Sequence, residues 1–135
     1  MRISNDRVKI LVEQLDLVQK DRLEAAYVIA EKNKKPLAEV LTDSDLISDD
    51  HIGHIIADEL GYDFVDLDKV AIDDDVLHII PKVMAKKQQV ITYEREKDGI
   101  HLAMVNPGNL TIVNLIEKKT GQEVIIHYTT AENIR

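Results

Sequence analysis

"DRVKILVEQLDLVQ" (residues 6–19) and "KPLAEVLTDSDLIS" (residues 35–48) are two copies of one pattern. Set in register 29 residues apart, Arg7 faces Pro36, Leu11 faces Val40, Asp16 faces Asp45, and Leu17-Val18 faces Leu46-Ile47. The offset persists to Asp21/Asp50 and Leu23/Ile52. A repeat of this length is one supersecondary unit used twice, and stacking the copies buries apolar stripes that each would leave exposed.

The repeat is helical. Val8, Leu11, Val12 and Leu15 recur at i, i+3, i+4 and i+7, which predicts a helix over 5–15 with Ser4 as its N-cap. Leu23, Ala26, Tyr27 and Ala30 continue the period in a helix over 20–33, with Asp21 near its N-terminus. Pro36 suits the start of a short third helix that stops near Thr42–Asp45, because a first-turn proline sacrifices no hydrogen bond. Ser48 caps a fourth over 49–60, Asp49 and Asp50 complement its dipole, and Gly61 is placed as a left-handed terminator.

Past Phe64 the pattern changes. "YDFVDLDKVAIDDD" reads as an extended acidic connector with one short strand at most, solvated and capping the next helix through Asp73–Asp75. A helical turn over 74–80 and a short helix opened by Pro81 follow. "QQVITYERE" and "DGIHLAMVNP" are strands paired across a Lys97-Asp98-Gly99 turn. "GNLTIVNLIEKKTG" is a helix with Asn109 as N-cap, Leu110, Val113, Leu115 and Ile116 as core candidates, and Gly121 as C-cap; "QEVIIHYTT" is a third strand. The expected fold is α+β: a four-helix tandem repeat (1–61), an acidic connector with short helices (62–87), and a small β-β-α-β subdomain (88–135).

Composition narrows function. The 135 residues are 44% hydrophobic and 31% charged, a globular mixture with an aliphatic core, since Trp is absent and Phe64 is the one phenylalanine. A net charge of -8 argues against nucleic acid, whose phosphates require clustered cations. Without cysteine there is neither a disulfide framework nor a thiolate zinc site. No apolar run approaches the ~20 residues of a bilayer span, and the N-terminus lacks a secretory h-region.

No catalytic constellation emerges. Ser4, Ser44 and Ser48 occupy turn and cap positions, and no serine stands beside a base. His51 and His54 sit at i, i+3 near Asp50 and Asp58, yet two imidazoles do not make a metal site. His101 and His127 read as surface or partly buried strand residues. The acidic stretch lacks the spacing of a calcium loop. No Gly-x-x-x-x-Gly-Lys-(Ser/Thr) occurs, so a P-loop is absent from these residues. Neither a cofactor nor an enzymatic activity is expected.

"PLAEVLTDSDLI" (36–47), "ELGYDFVDLDKVAIDDDVLHIIPKVMAKKQQVI" (59–91) and "HLAMVNPGNLTIVNLIEKKTGQEVIIHY" (101–128) resemble the N-terminal domain of secretion and pilus-assembly ATPases, from about residue 6 to the end. This family includes type II secretion, type IV pilus and mannose-sensitive pilus motors. The resemblance implies two tandem motifs that, in some members, clamp cyclic di-GMP with an Arg, two Gly, a closing Gln and packed leucines. Here the Arg is Arg7 in the first copy and Pro36 in the second, with Lys35 a poor substitute. The glycines are Lys9 and Ala38, then Asp16 and Asp45; the Gln is Ala30 and Glu59. The apolar frame (Val8, Val12, Leu17, Val18, Leu37, Leu41, Leu46, Ile47) persists.

The family resemblance implies a regulatory or docking domain. Its expected partners are the cytoplasmic part of an inner-membrane platform protein and a downstream ATPase domain of the same chain. The expected location is cytoplasmic, peripheral to the inner membrane through those partners. The alternative is a divergent cyclic di-GMP sensor using Arg7, Val8, Val12, Leu17, Lys35, Leu37, Leu41 and Leu46.

Overall fold

Ser4 starts the first helix as its spacing predicts: extended (φ -74°, ψ 156°), it accepts the Arg7 amide on Oγ at 3.1 Å. Helix α1 runs Asn5–Leu15, α2 Lys20–Asn33, α3 Leu37–Asp43 and α4 Asp49–Leu60, the last entered through Ser48, whose Oγ accepts the His51 amide at 3.1 Å. The computed structural model describes residues 3–134, and their contacts divide into two units, Ile3–Leu60 and a second from Gly61 onward.

The repeat recurs in the hydrogen bonding of the helical unit. Asp16 N–H donates to the Glu13 carbonyl and Leu17 N–H to Val12; 29 residues on, Asp45 donates to Thr42 and Leu46 to Leu41. Leu23 N–H to Gln19 and Ile52 N–H to Ser48 continue the correspondence. Both turns close through a left-handed aspartate, Asp16 at φ 53° and Asp45 at φ 57°. The buried positions repeat too, with Val8/Leu37, Val12/Leu41 and Leu23/Ile52 all in the core.

Three expected core positions differ. Leu15 is 52% exposed and Leu11 half-buried, because the inward stripe of α1 is only Val8 and Val12 wide. Tyr27 is half-buried, and its hydroxyl donates to Asp6. That bond, then burial, pushes the phenol up to about 12.

The second unit is ordered around a three-stranded sheet. After a 3-10 turn at Leu67–Lys69 and the short helices α5 (Asp74–Leu77) and α6 (Lys82–Gln88), β1 (Val90–Glu96) and β2 (Gly99–Met104) form an antiparallel hairpin. Helix α7 (Leu110–Thr120) then crosses to β3 (Val124–Tyr128), which lies parallel to β2; α8 (Ala131–Ile134) ends the described residues. Strand order is β1-β2-β3. One sheet face carries Ile100, Leu102 and Met104 against Ile112, Val113 and Ile116 of α7 and Val76, Ile79 and Ile80.

The opposite face disagrees with the reading of residues 63–75 as a solvated linker. Val65, Leu67, Val70 and Ile72 pack there with Tyr93, Ala103 and Ile134, and Phe64 makes a single parallel bridge to Tyr128. The aspartates alternate outward from this apolar series, which is why composition alone suggests solvent. Asp73 takes the N-cap position of α5 but makes no side-chain capping bond. Asn109 likewise precedes α7 without capping it, its amide donating instead to Gln88 Oε1 at 3.1 Å. Of the core candidates on α7, Leu110 and Leu115 are 60% and 47% exposed; the helix is turned so that Ile112 joins Val113 and Ile116 inside.

Candidate ligand-binding site in the helical repeat

Arg7, the expected motif arginine, meets Glu59, which stands at the expected glutamine position. Arg7 on α1 reaches Glu59 on α4, Nε donating to Oε2 at 2.6 Å and Nη2 to Oε1 at 3.2 Å. This two-pronged geometry matches the guanidinium fork to a carboxylate. The hydrogen bond to Glu59 raises the Arg7 pKa, and the reciprocal bond holds Glu59 below the ordinary carboxylate range. The motif arginine and the residue standing in place of the motif glutamine thus neutralise one another.

The other motif positions are divided among paired, buried and exposed. Lys9, at the first glycine position, pairs with Glu24 at 2.6 Å and lies 4.6 Å from the Tyr27 ring centre. Val8, Val12, Leu37 and Leu41 are buried and present no surface to a ligand; Leu17 and Leu46 are half-buried. Lys35 is exposed, and its carbonyl accepts from Asn5 Nδ2 at 2.9 Å. A shallow cleft of about 240 Å³ lies beside Glu59, lined by Leu11, Leu15, Ile55, Asp58 and Glu59. Of its two carboxylates Glu59 is paired with Arg7, and Asp58 opposes a phosphate entering it.

Asp16 and Asp45 reveal what the second motif glycine does locally. Both backbones are left-handed, a conformation that costs an ordinary L-residue roughly 1–2 kcal/mol and glycine almost nothing. The glycine position therefore serves the turn, whatever it contributes to a ligand. Asn5, which the sequence reading overlooked, ties the copies together: its Oδ1 accepts the Leu37 amide at 2.7 Å, satisfying an orphan donor at the start of α3. An asparagine opposite a helix start 32 residues away leaves no periodic signal.

The histidines separate into two groups. His54 on α4 lies 4.0 Å from Asp50, and among the described residues no third donor joins them. His101 and His127, 26 residues apart, are brought together by β2 and β3, Nδ1 to Nε2 at 2.9 Å. Burial first, and His101 next, hold the His127 imidazole below its ordinary pKa.

Comparison with known proteins supplies the context. Residues 60–135 match the MshEN domain family. The chain is 31% identical over 96 residues to the type IV pilus assembly ATPase PilB of Thermus thermophilus, covering 70% of this chain and 11% of that protein. It is 21% identical over 118 residues to PilB of Myxococcus xanthus, covering 87% of this chain and 21% of that protein. The chain thus spans between a tenth and about a fifth of these relatives. Among solved structures it resembles MshE with cyclic di-GMP (TM-score 0.69, 18% identity, 94% of this chain and 92% of that one). It also resembles the N-terminal domain of XpsE (TM-score 0.63, 14% identity, 99% and 93%). With a family match over more than half its length, the chain belongs to the MshEN domain family, the N-terminal domain of secretion and pilus assembly ATPases.

Proposed function

We propose that this domain is a non-catalytic docking module that couples a secretion or pilus motor to the cytoplasmic part of its membrane-platform protein. The observation that carries the reading is the Arg7–Glu59 pair: the repeat has an apolar frame while its arginine is engaged by a carboxylate of the same unit. A domain so arranged binds through surface. Ile10, Leu15, Val28 and Ile29 of the helical unit are apolar and exposed, a surface suited to protein contact. Among the described residues no helix is long and apolar enough to cross a membrane. The test is titration of the purified domain with the platform protein's cytoplasmic segment. Binding at roughly tens of micromolar or tighter supports docking, and absence of binding there removes it.

A second reading, a cyclic di-GMP sensor, is favoured by one observation: MshE, whose fold this chain shares, was solved with that ligand. Here the dinucleotide would have to take Arg7 from Glu59 and sit beside Asp58. Isothermal titration at low salt separates the readings. The docking reading expects no heat from the native domain. Micromolar affinity lost on Arg7→Ala would instead make the sensor the function.

A further inference from the structure

The hairpin brings three mixed donors together, a grouping that the helical repeat does not match among the described residues. Glu96 ends β1, Asp98 lies in the two-residue turn and His101 follows on β2. His101 Nε2 lies 3.1 Å from Asp98 Oδ1 and 3.7 Å from Glu96 Oε2, and all three donor atoms fall within 4.8 Å of one another. An ion held at about 2.1 Å in tetrahedral geometry needs donors about 3.4 Å apart, so little adjustment is required.

What distinguishes this cluster from scattered surface acids is the support behind the imidazole. His101 is only 12% exposed at its side chain. Its Nδ1 meets His127 Nε2 at 2.9 Å, and the two rings stack with centres 5.1 Å apart. Tyr93 packs edge-on against both, at 5.9 and 5.5 Å. The register of β1 against β2 shifts between Thr92 and Glu94, so Tyr93 is the bulged residue that aims at the pair. One proton suffices for the Nδ1–Nε2 contact. When His101 carries it, the Nε2 lone pair faces two carboxylates and a cation can bridge the three acceptors; in the other tautomer Nε2 donates to Asp98 Oδ1 at 3.1 Å. A histidine whose other nitrogen is held by a polar neighbour is the arrangement metal sites use to fix ring and tautomer.

We propose that Glu96, Asp98 and His101 form a divalent transition-metal site of the Zn²⁺ class, with His127 as the positioning residue that orients His101 and water completing the shell. One imidazole and two carboxylates suit zinc or nickel better than magnesium, which prefers oxygen throughout. Bound metal would fasten the β1–β2 turn to the strand that carries His127. Two exposed carboxylates make this a site of micromolar strength.

The test is titration of the chelator-treated 135-residue chain with Zn²⁺ alone near pH 7, by calorimetry and by thermal melting. One equivalent should bind with micromolar affinity and raise Tm. Glu96→Gln with Asp98→Asn, exposed changes that leave the core intact, should weaken binding at least tenfold. His127→Ala should weaken it about tenfold, as losses behind a ligand do. His51→Ala with His54→Ala should bind as the native chain does. No binding at 100 μM, or binding indifferent to the Glu96/Asp98 changes, overturns the site; binding lost with His51 and His54 places the metal on α4 instead.

Discussion

The helical unit and the sheet unit stand differently against the family: the stretch that matches it, residues 60–135, takes in the whole sheet unit and leaves almost all of the helical unit outside. The helical unit is held by a repeated apolar frame, with Val8, Val12, Leu37, Leu41 and Ile52 all buried. The polar side chains around that frame pair with one another. Glu59 engages Arg7, and Lys9 engages Glu24. Packing constrains a side chain through many neighbours at once, whereas a ligand constrains it only if the ligand is there. A repeat of this kind holds its fold through the first set of residues and pairs the second set within itself.

The contrast can be broken most forcefully at Leu41, fully buried at the centre of the second repeat. Leu41→Ala should cost about 2–5 kcal/mol in denaturant unfolding, as core truncations do. A loss near that of a surface change would mean that the frame is not what holds the unit. In the sheet unit, Gly99 is the position to disturb. It opens β2 at φ 140°, and a Cβ there would strike the Glu123 backbone. Gly99→Ala should therefore cost roughly 1–3 kcal/mol and loosen the hairpin, read by amide exchange in β1 and β2.

Smaller effects sharpen the comparison. Asn5→Ala orphans the Leu37 amide and should cost about 1 kcal/mol, with exchange rising first in α3. Restoring the motif glycines should do the reverse. Asp16→Gly and Asp45→Gly relieve left-handed strain and remove a carboxylate from each helix C-terminus, for a gain of about 0.5–1 kcal/mol each in Tm-derived stability. A loss there would show that the aspartates hold the turns by some bond of their own. The smallest effect is acid sensitivity. The folded Glu59 pKa is depressed from 4.5, so its contribution is complete above that value and fades as pH falls through the lower folded pKa. Glu59→Gln should flatten the acid limb of the stability curve slightly, and an unchanged limb would show that the pair contributes nothing in solution.

Much of the architecture was legible because it is written in local chemistry. Ser4 and Ser48 mark helix starts, Gly61 and Gly121 take positive φ at helix ends, and Lys97-Asp98 makes the hairpin turn. Periodicity places a helix without fixing how wide its buried stripe is. Leu15, Leu110 and Leu115 looked internal for that reason, and Ile112 did not. The apolar half of residues 64–72 was obscured by the aspartates interleaved with it. The site-level facts were illegible for a different reason: Arg7–Glu59, Asn5–Leu37 and His101–His127 join residues 52, 32 and 26 positions apart. Such pairs belong to the fold, and no window along the chain contains both partners.

The bulge at Tyr93 has one more consequence. β1 is an outer strand, and an outer strand offers unpaired amides and carbonyls to any identical strand nearby. Here its second half is bent by the bulge and ends in Glu94, Arg95 and Glu96, all exposed and charged. If many copies of this domain were crowded together, edge-to-edge stacking into a continuous sheet would be the chief route to aggregation. The bend and the three charges make that edge a poor template.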